Sequence, residues 1–131
     1  MRRALASILG ISLAANGLAM LFLPLAWYRA VPGVPGTGPF NPHFVRDIGC
    51  AYLASGGPLA WFSFDARARA AAMAGAAFLA LHATVHLWDL TAGRESLADL
   101  KFDFLAIFIP AILAIWLAWP KSPVPRGEQR C

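Results

Sequence analysis

ARAAAMAGAAFLALHATVHLW, residues 68–88, is apolar almost throughout and ends in a pair of histidines. Its length is close to the ~20 residues that a helix needs to cross the hydrocarbon core of a bilayer. His82 and His86 are four residues apart, and Asp89 follows three residues later. A helix places such residues on one face. The run therefore predicts a membrane-spanning helix with polar groups gathered at one end.

The composition of the whole chain supports a membrane protein. Of its 131 residues, 59% are hydrophobic and only 14% are charged, whereas soluble domains carry about 25% charged residues. The net charge of +4 does not indicate nucleic-acid binding, because the basic residues are not gathered on one polar element. Cys50 and Cys131 are expected at opposite membrane ends, which disfavours a disulfide. The sequence has no CxxC spacing, so a cysteine-based zinc site is not supported.

Three further apolar stretches, at about 4–27, 47–64 and 102–119, are candidate spans. With residues 68–88 they predict an all-α integral membrane four-helix bundle. It forms one domain over residues 1–119, followed by a cytoplasmic tail at 120–131. The first stretch is longer than the core of a signal peptide and is interpreted as a retained span. Pro110 should kink the fourth helix or be accommodated by neighbouring packing.

The connections and the small residues predict how the helices meet. The loop between residues 27 and 46 is rich in proline and glycine, which favours a compact, fixed path. The loop at 89–101 is polar and is expected to carry a short amphipathic helix over 94–100. Asn16 is expected to form an interhelical hydrogen bond. Small residues favour close approach of helix backbones in lipid; they include Gly10, Gly17, Gly49, Gly56 and Gly75.

Lysine and arginine are distributed unequally between the two predicted ends of the bundle. The terminal side carries seven: Arg2, Arg3, Arg67, Arg69, Lys121, Arg126 and Arg130. The other side carries four: Arg29, Arg46, Arg94 and Lys101. The positive-inside rule therefore predicts that both termini are cytoplasmic.

All three histidines fall at the predicted outer end, where ionisable groups indicate a functional site by default. One interpretation is a transition-metal site for zinc, copper or iron, with His82 and His86 as its core ligands. His43, Asp47 and Asp89 would complete the ligand set, and Arg46 and Asp103 would support it. No glutamate lies between His82 and His86, which disfavours a zinc protease.

Other interpretations of the same residues stay open. Haem ligation fits less well, because it would have to join His43 with His82 or His86, and His43 is expected to precede its helix. The third interpretation is a pocket for a quinone or a lipid headgroup that uses a histidine and Arg46. A purely structural polar layer is the fourth, in which Asp47 and Asp103 favour the starts of their helices.

The stretch GPFNPHFVRDIG, residues 38–49, resembles the signature of one uncharacterised family of small bacterial four-span membrane proteins. The layout of spans and loops is similar to that of the DoxX-like proteins. The resemblance implies a four-helix bundle in the bacterial inner membrane, and it transfers no catalytic residue.

The functional hypothesis is an integral membrane binding module that holds a metal ion or small polar ligand at the outer end of the bundle. Two alternatives stay open. One is a structural or accessory subunit of a larger membrane complex, with no cofactor of its own. The other is a membrane redox enzyme using the same His/Asp site. The expected partners are the lipid bilayer and other membrane-protein subunits.

Overall fold

The computed structural model describes residues 1–94 and 100–120, and every regular element within them is helical. This confirms the predicted all-α fold class. In chain order the helices are α1 (Arg2–Phe22), α2 (Pro24–Ala30), α3 (Pro42–Phe62), α4 (Arg69–Thr91), α5 (Leu100–Asp103) and α6 (Ile109–Ala118). Short 3₁₀ turns lie at Val34–Gly36 and Ala66–Ala68, and a π-helical turn, Phe104–Phe108, joins α5 to α6.

Three helical runs in the described part of the chain are long and apolar enough to cross a membrane. They are Arg2–Phe22, Ala66–Thr91 and Leu100–Ala118. Their surfaces carry large exposed hydrophobic side chains, such as Ile8 at 64%, Leu81 at 67% and Ile112 at 61% exposure. Apolar exposure on this scale fits a lipid-facing surface. Helix α3 has the same length as α1, 21 residues, but its sequence is more polar.

Helix α3 begins several residues earlier than its apolar pattern suggests. The Asn41 side chain caps it by accepting hydrogen bonds from the backbone N–H groups of His43 at 3.0 Å and Phe44 at 3.2 Å. Pro42 occupies the first turn, where its missing N–H has no cost. Asn41, and not Asp47, therefore caps this helix. The expectation that His43 precedes the helix is wrong, because His43 lies in its first turn.

Glycines bring α1 and α3 into direct backbone contact. A Cβ atom on Gly56 would lie 2.6 Å from the Gly10 carbonyl oxygen, and one on Gly17 would lie 2.6 Å from the Gly49 carbonyl oxygen. Only a residue without a side chain fits such spacing. Gly10 lies opposite Gly56 near one end and Gly17 opposite Gly49 near the other, so the two helices run antiparallel. The small residues thus act as their sequence predicts.

Hydrogen bonds fix the proline-rich loop between α1 and α3. The Trp27 indole donates to the Asn16 side-chain oxygen at 2.9 Å and so ties α2 back to α1. The Tyr28 hydroxyl donates to the Gly38 carbonyl at 2.7 Å, and its ring lies 5.3 Å from that of Phe40. These contacts give the loop the compact path that its composition predicts.

A π-helical turn accommodates Pro110. Proline has no N–H, and its ring collides with the carbonyl four residues earlier in a regular α-helix. Just before the proline, the N–H of Ile109 bonds to the Phe104 carbonyl, five residues back. This wider turn relieves the collision, and the helical run continues to Ala118.

Two predicted features fall wholly or largely outside the described residues. The amphipathic helix expected over 94–100 lies mainly in residues 95–99. The cytoplasmic tail lies, apart from Pro120, in residues 121–131. Within the described part, the run that continues into α6 begins at Leu100.

Neighbouring glycines in α3 provide a test of the α1–α3 contact. A Cβ on Gly56 would collide with α1, whereas a Cβ on Gly57 meets nothing within 4 Å. We expect Gly56→Ala to lower the free energy of unfolding by about 1–3 kcal/mol through overpacking. Gly57→Ala should be neutral or stabilise by up to about 1 kcal/mol through helix propensity. Denaturation in detergent followed by circular dichroism measures both, and equal effects would contradict the proposed close contact.

Candidate functional site

Three aromatic rings form a column on one face of α4. Phe78, His82 and His86 follow one another at four-residue intervals, as the helical period predicts. The ring centroids of Phe78 and His82 are 5.8 Å apart and the planes are nearly parallel, at 10°. Those of His82 and His86 are 4.9 Å apart, with planes at 78°. The sequence therefore correctly predicts that both histidines share a face.

Tyr52 of α3 packs against this column. Its ring lies 5.9 Å from that of Phe78 and 6.0 Å from that of His82, edge-on to both at 81°. Aromatic pairs favour edge-to-face geometry because a positive ring edge meets a negative face. Tyr52 is buried, at 8% exposure, so its ring packs against His82 on the side that faces α3.

His86 is hydrogen-bonded to Asp103. Its Nδ1 lies 2.9 Å from the Asp103 Oδ2, and the two side chains are only 21% and 16% exposed. The bond joins the end of α4 to α5. When Nδ1 carries the proton, it donates the hydrogen bond to the carboxylate, and this bond orients the imidazole ring.

The remaining predicted site residues form other contacts. His43 pairs with Asp47 at 3.6 Å, and their side chains are 86% and 61% exposed. The Arg94 guanidinium lies 2.8 Å from an Asp89 carboxylate oxygen.

Arg46 binds a backbone carbonyl at the end of a helix. It donates from Nε to the Leu21 carbonyl at 3.2 Å, at the end of α1. In residues 1–94 and 100–120, no hydrogen bond or ion pair joins His43, Asp47, Asp89 or Arg46 to the group formed by His82, His86 and Asp103. The predicted polar layer is therefore not one connected cluster. It consists of the group formed by His82, His86 and Asp103 and of separate contacts made by the other residues.

The group formed by His82, His86 and Asp103 is called the histidine–aspartate site below. Within the described part of the chain, no cluster of three or more His, Cys, Asp or Glu side chains is placed to hold a metal ion. Two imidazoles with a carboxylate behind one of them nevertheless match a common element of metal sites, in which the carboxylate orients the ligating histidine. The metal interpretation stays a prediction.

The sequence alone did not indicate two residues around the site. Phe78 precedes His82 by four residues, so its spacing is a signal that could have placed it in the column. Tyr52 lies on a different helix, and only the packing of α3 against α4 brings it there. The sequence suggested two roles for Asp103, support of the histidine site and a favourable helix start, and the structure places its carboxylate in contact with His86.

Comparisons with protein-family models, with curated proteins and with solved structures found no match to this chain. Any functional inference therefore depends on the site itself.

Removal of the Asp103 carboxylate should destabilise the protein. Asp103→Ala deletes a largely buried hydrogen bond to His86, which should cost about 1–3 kcal/mol of unfolding free energy. Asp47→Ala removes a carboxylate from the exposed pair with His43 and should cost less than about 1 kcal/mol. Denaturation curves in detergent compare the two variants. A smaller cost at Asp103 than at Asp47 would show that the His86 contact contributes little.

Proposed function

We propose that this protein is an integral membrane binding module whose histidine–aspartate site holds a metal ion or small polar ligand. The observation that carries the proposal is the 2.9 Å bond between His86 Nδ1 and Asp103 Oδ2, with His82 directly beside it on α4. A histidine that is oriented by a carboxylate is a common element of metal sites, and the His82 ring lies 4.9 Å from that of His86. Ionisable groups within membrane helices are expensive, which favours a functional reason for their presence.

The proposal includes a bundle of four spans. At ~1.5 Å per residue, the 21 residues of α3 extend about 31 Å, enough to cross a hydrocarbon core of ~30 Å. Helix α3 contacts α1 through two glycine pairs and α4 through Gly75 and Ser55. A helix packed antiparallel along a membrane-spanning neighbour occupies the same layer, which supports α3 as the fourth span despite its polar residues.

The proposed location is the bacterial inner membrane, with both termini in the cytoplasm. The excess of lysine and arginine at the terminal end supports this orientation. The sequence of residues 38–49 resembles that of small bacterial four-span proteins, and this resemblance supports the bacterial inner membrane as the location. In this orientation His82, His86 and Asp103 belong to the outer half of the bundle.

A structural role is the second candidate, and one observation favours it. The His86–Asp103 bond connects α4 to α5, so it would hold these helices together even without a ligand. In that case the chain would act as an accessory subunit of a larger membrane complex. Ligand binding distinguishes the two candidates, because a structural crosslink holds α4 and α5 together without any ligand.

Metal titration tests the binding proposal. We expect chelator-treated protein in detergent to bind about one Zn²⁺, Cu²⁺ or, without oxygen, Fe²⁺ per chain in calorimetry. His82→Ala and His86→Ala should each weaken binding at least tenfold by removing a ligand. Asp103→Asn should weaken it about 10–100-fold, the usual effect of losing the partner that orients a ligating histidine.

Thr84→Ala is the matched control for these variants. Thr84 lies between the two histidines on α4 and is exposed, and its hydroxyl donates to the Leu81 carbonyl at 2.6 Å. Its removal should therefore leave binding unchanged. Protein purified from native membranes is also analysed by native mass spectrometry for a small bound molecule. Absence of both a metal and a bound molecule would refute the binding proposal and favour the structural subunit. His43→Ala and Asp89→Asn establish whether those side chains belong to the ligand set.

A further inference from the structure

A cavity of about 260 Å³ lies at the opposite end of α4 from the histidine–aspartate site. It opens where the start of α1, the end of α3, the start of α4 and the end of α6 meet. Its lining includes Arg2, Arg3, Phe62, Ser63, Arg69 and Trp119. Since the share of liquid volume per water molecule is ~30 Å³, the cavity has room for a polar group the size of a phosphate and its substituents.

Three arginines line this cavity, and none of its other lining residues in the described part of the chain is acidic. Arg2 is partly engaged: one guanidinium nitrogen donates to the carbonyls of Trp116 and Leu117. The Arg69 guanidinium lies over the Phe62 ring, 5.3 Å from its centroid, which leaves its N–H groups available to an anion. Arg3 is exposed and makes no ion pair with an acidic side chain in the described part of the chain.

The nearest acidic residue in sequence does not neutralise these arginines, because it is already paired. Asp65 accepts hydrogen bonds from the side chain of Arg67 at 3.1 Å and from its backbone N–H at 2.9 Å. The Arg67 guanidinium, helped by that N–H, holds the pKa of the Asp65 carboxyl below its usual value. The charge of the cavity therefore comes from Arg2, Arg3 and Arg69.

The position of the cavity indicates which kind of anion it receives. It lies at the end of helices whose sides are apolar, and Trp116 and Trp119 are exposed beside it at 49% and 63%. Tryptophan at such a level is typical of the membrane interface. Basic pockets between membrane helices at that depth bind lipid headgroups, and the planar guanidinium matches phosphate oxygens in pairs.

We propose that this cavity binds the phosphodiester headgroup of an anionic phospholipid. Arg3 and Arg69 contact the phosphate oxygens, and the Ser63 hydroxyl, at the cavity wall, donates a further hydrogen bond. The acyl chains leave along the apolar surface near Trp119. This site is separate from the histidine–aspartate site: His86 is 17 residues beyond Arg69, or about 25 Å along α4 at ~1.5 Å per residue.

Native mass spectrometry with defined lipids tests this proposal. The full chain in detergent is incubated with an equimolar mixture of phosphatidylglycerol and phosphatidylcholine, and the lipids retained are counted. We expect the wild type to retain phosphatidylglycerol in preference. Arg3→Gln and Arg69→Gln should each reduce that preference about fivefold, the effect of one basic residue near an anionic lipid surface. Arg3→Lys, which keeps the charge, should preserve most of it.

Arg29→Gln is the matched control, because it removes the same charge from an exposed position near the opposite end of the bundle. It should leave the preference unchanged, and helicity by circular dichroism confirms that each variant is folded. Equal retention of the two lipids by the wild type, or an equal loss in Arg29→Gln, would overturn the proposal. A third outcome would also overturn it: inorganic phosphate displaces all of the phosphatidylglycerol, whereas sodium chloride of the same ionic strength displaces none. That result would indicate a site for a free anion.

Discussion

The backbone contact between α1 and α3 sets the arrangement of the other helices. Lipid supplies no hydrophobic force between apolar helices, so their association depends on close packing. Gly10 and Gly17 of α1 lie against Gly56 and Gly49 of α3, where added Cβ atoms would collide with the facing backbone. Helix α4 then approaches α3 at Gly75, whose Cβ would lie 2.7 Å from the Ser55 Cα. This second contact brings Tyr52 of α3 beside the rings of α4.

Arginine side chains complete the ends of two helices. Carbonyls in the last turn of a helix have no intrahelical partner, and in a membrane protein they need another donor. Arg46 supplies one to Leu21 at the end of α1, and Arg2 supplies others near the end of α6. A cation at a helix C-terminus also interacts favourably with the helix dipole. The two arginines therefore join neighbouring helices without needing acidic partners.

Local patterns predicted the helices and the shared face of His82 and His86, because helical spacing depends only on sequence separation. They favoured Asp47 for the start of α3, whereas Asn41 caps it, because the apolar pattern did not show that the helix begins at Pro42. Nor could they separate Gly56, which contacts α1, from Gly57, which faces open space. That difference depends on which face of α3 meets α1. The pairing of His86 with Asp103 likewise depends on how α5 packs against α4, and the spacing of residues in the sequence does not determine that packing.

The way in which this protein joins its helices bears on the meaning of the histidine–aspartate site. Two contacts that join helices use a neutral pair or a backbone carbonyl, namely Trp27 with Asn16 and Arg46 with the Leu21 carbonyl. His86 and Asp103 instead place two titratable side chains together at 21% and 16% exposure. Desolvation reduces the stability gained from such partly buried pairs, and apolar replacements of fully buried ones often stabilise equally well. The proposed role in ligand binding would give this pair a purpose beyond joining α4 to α5.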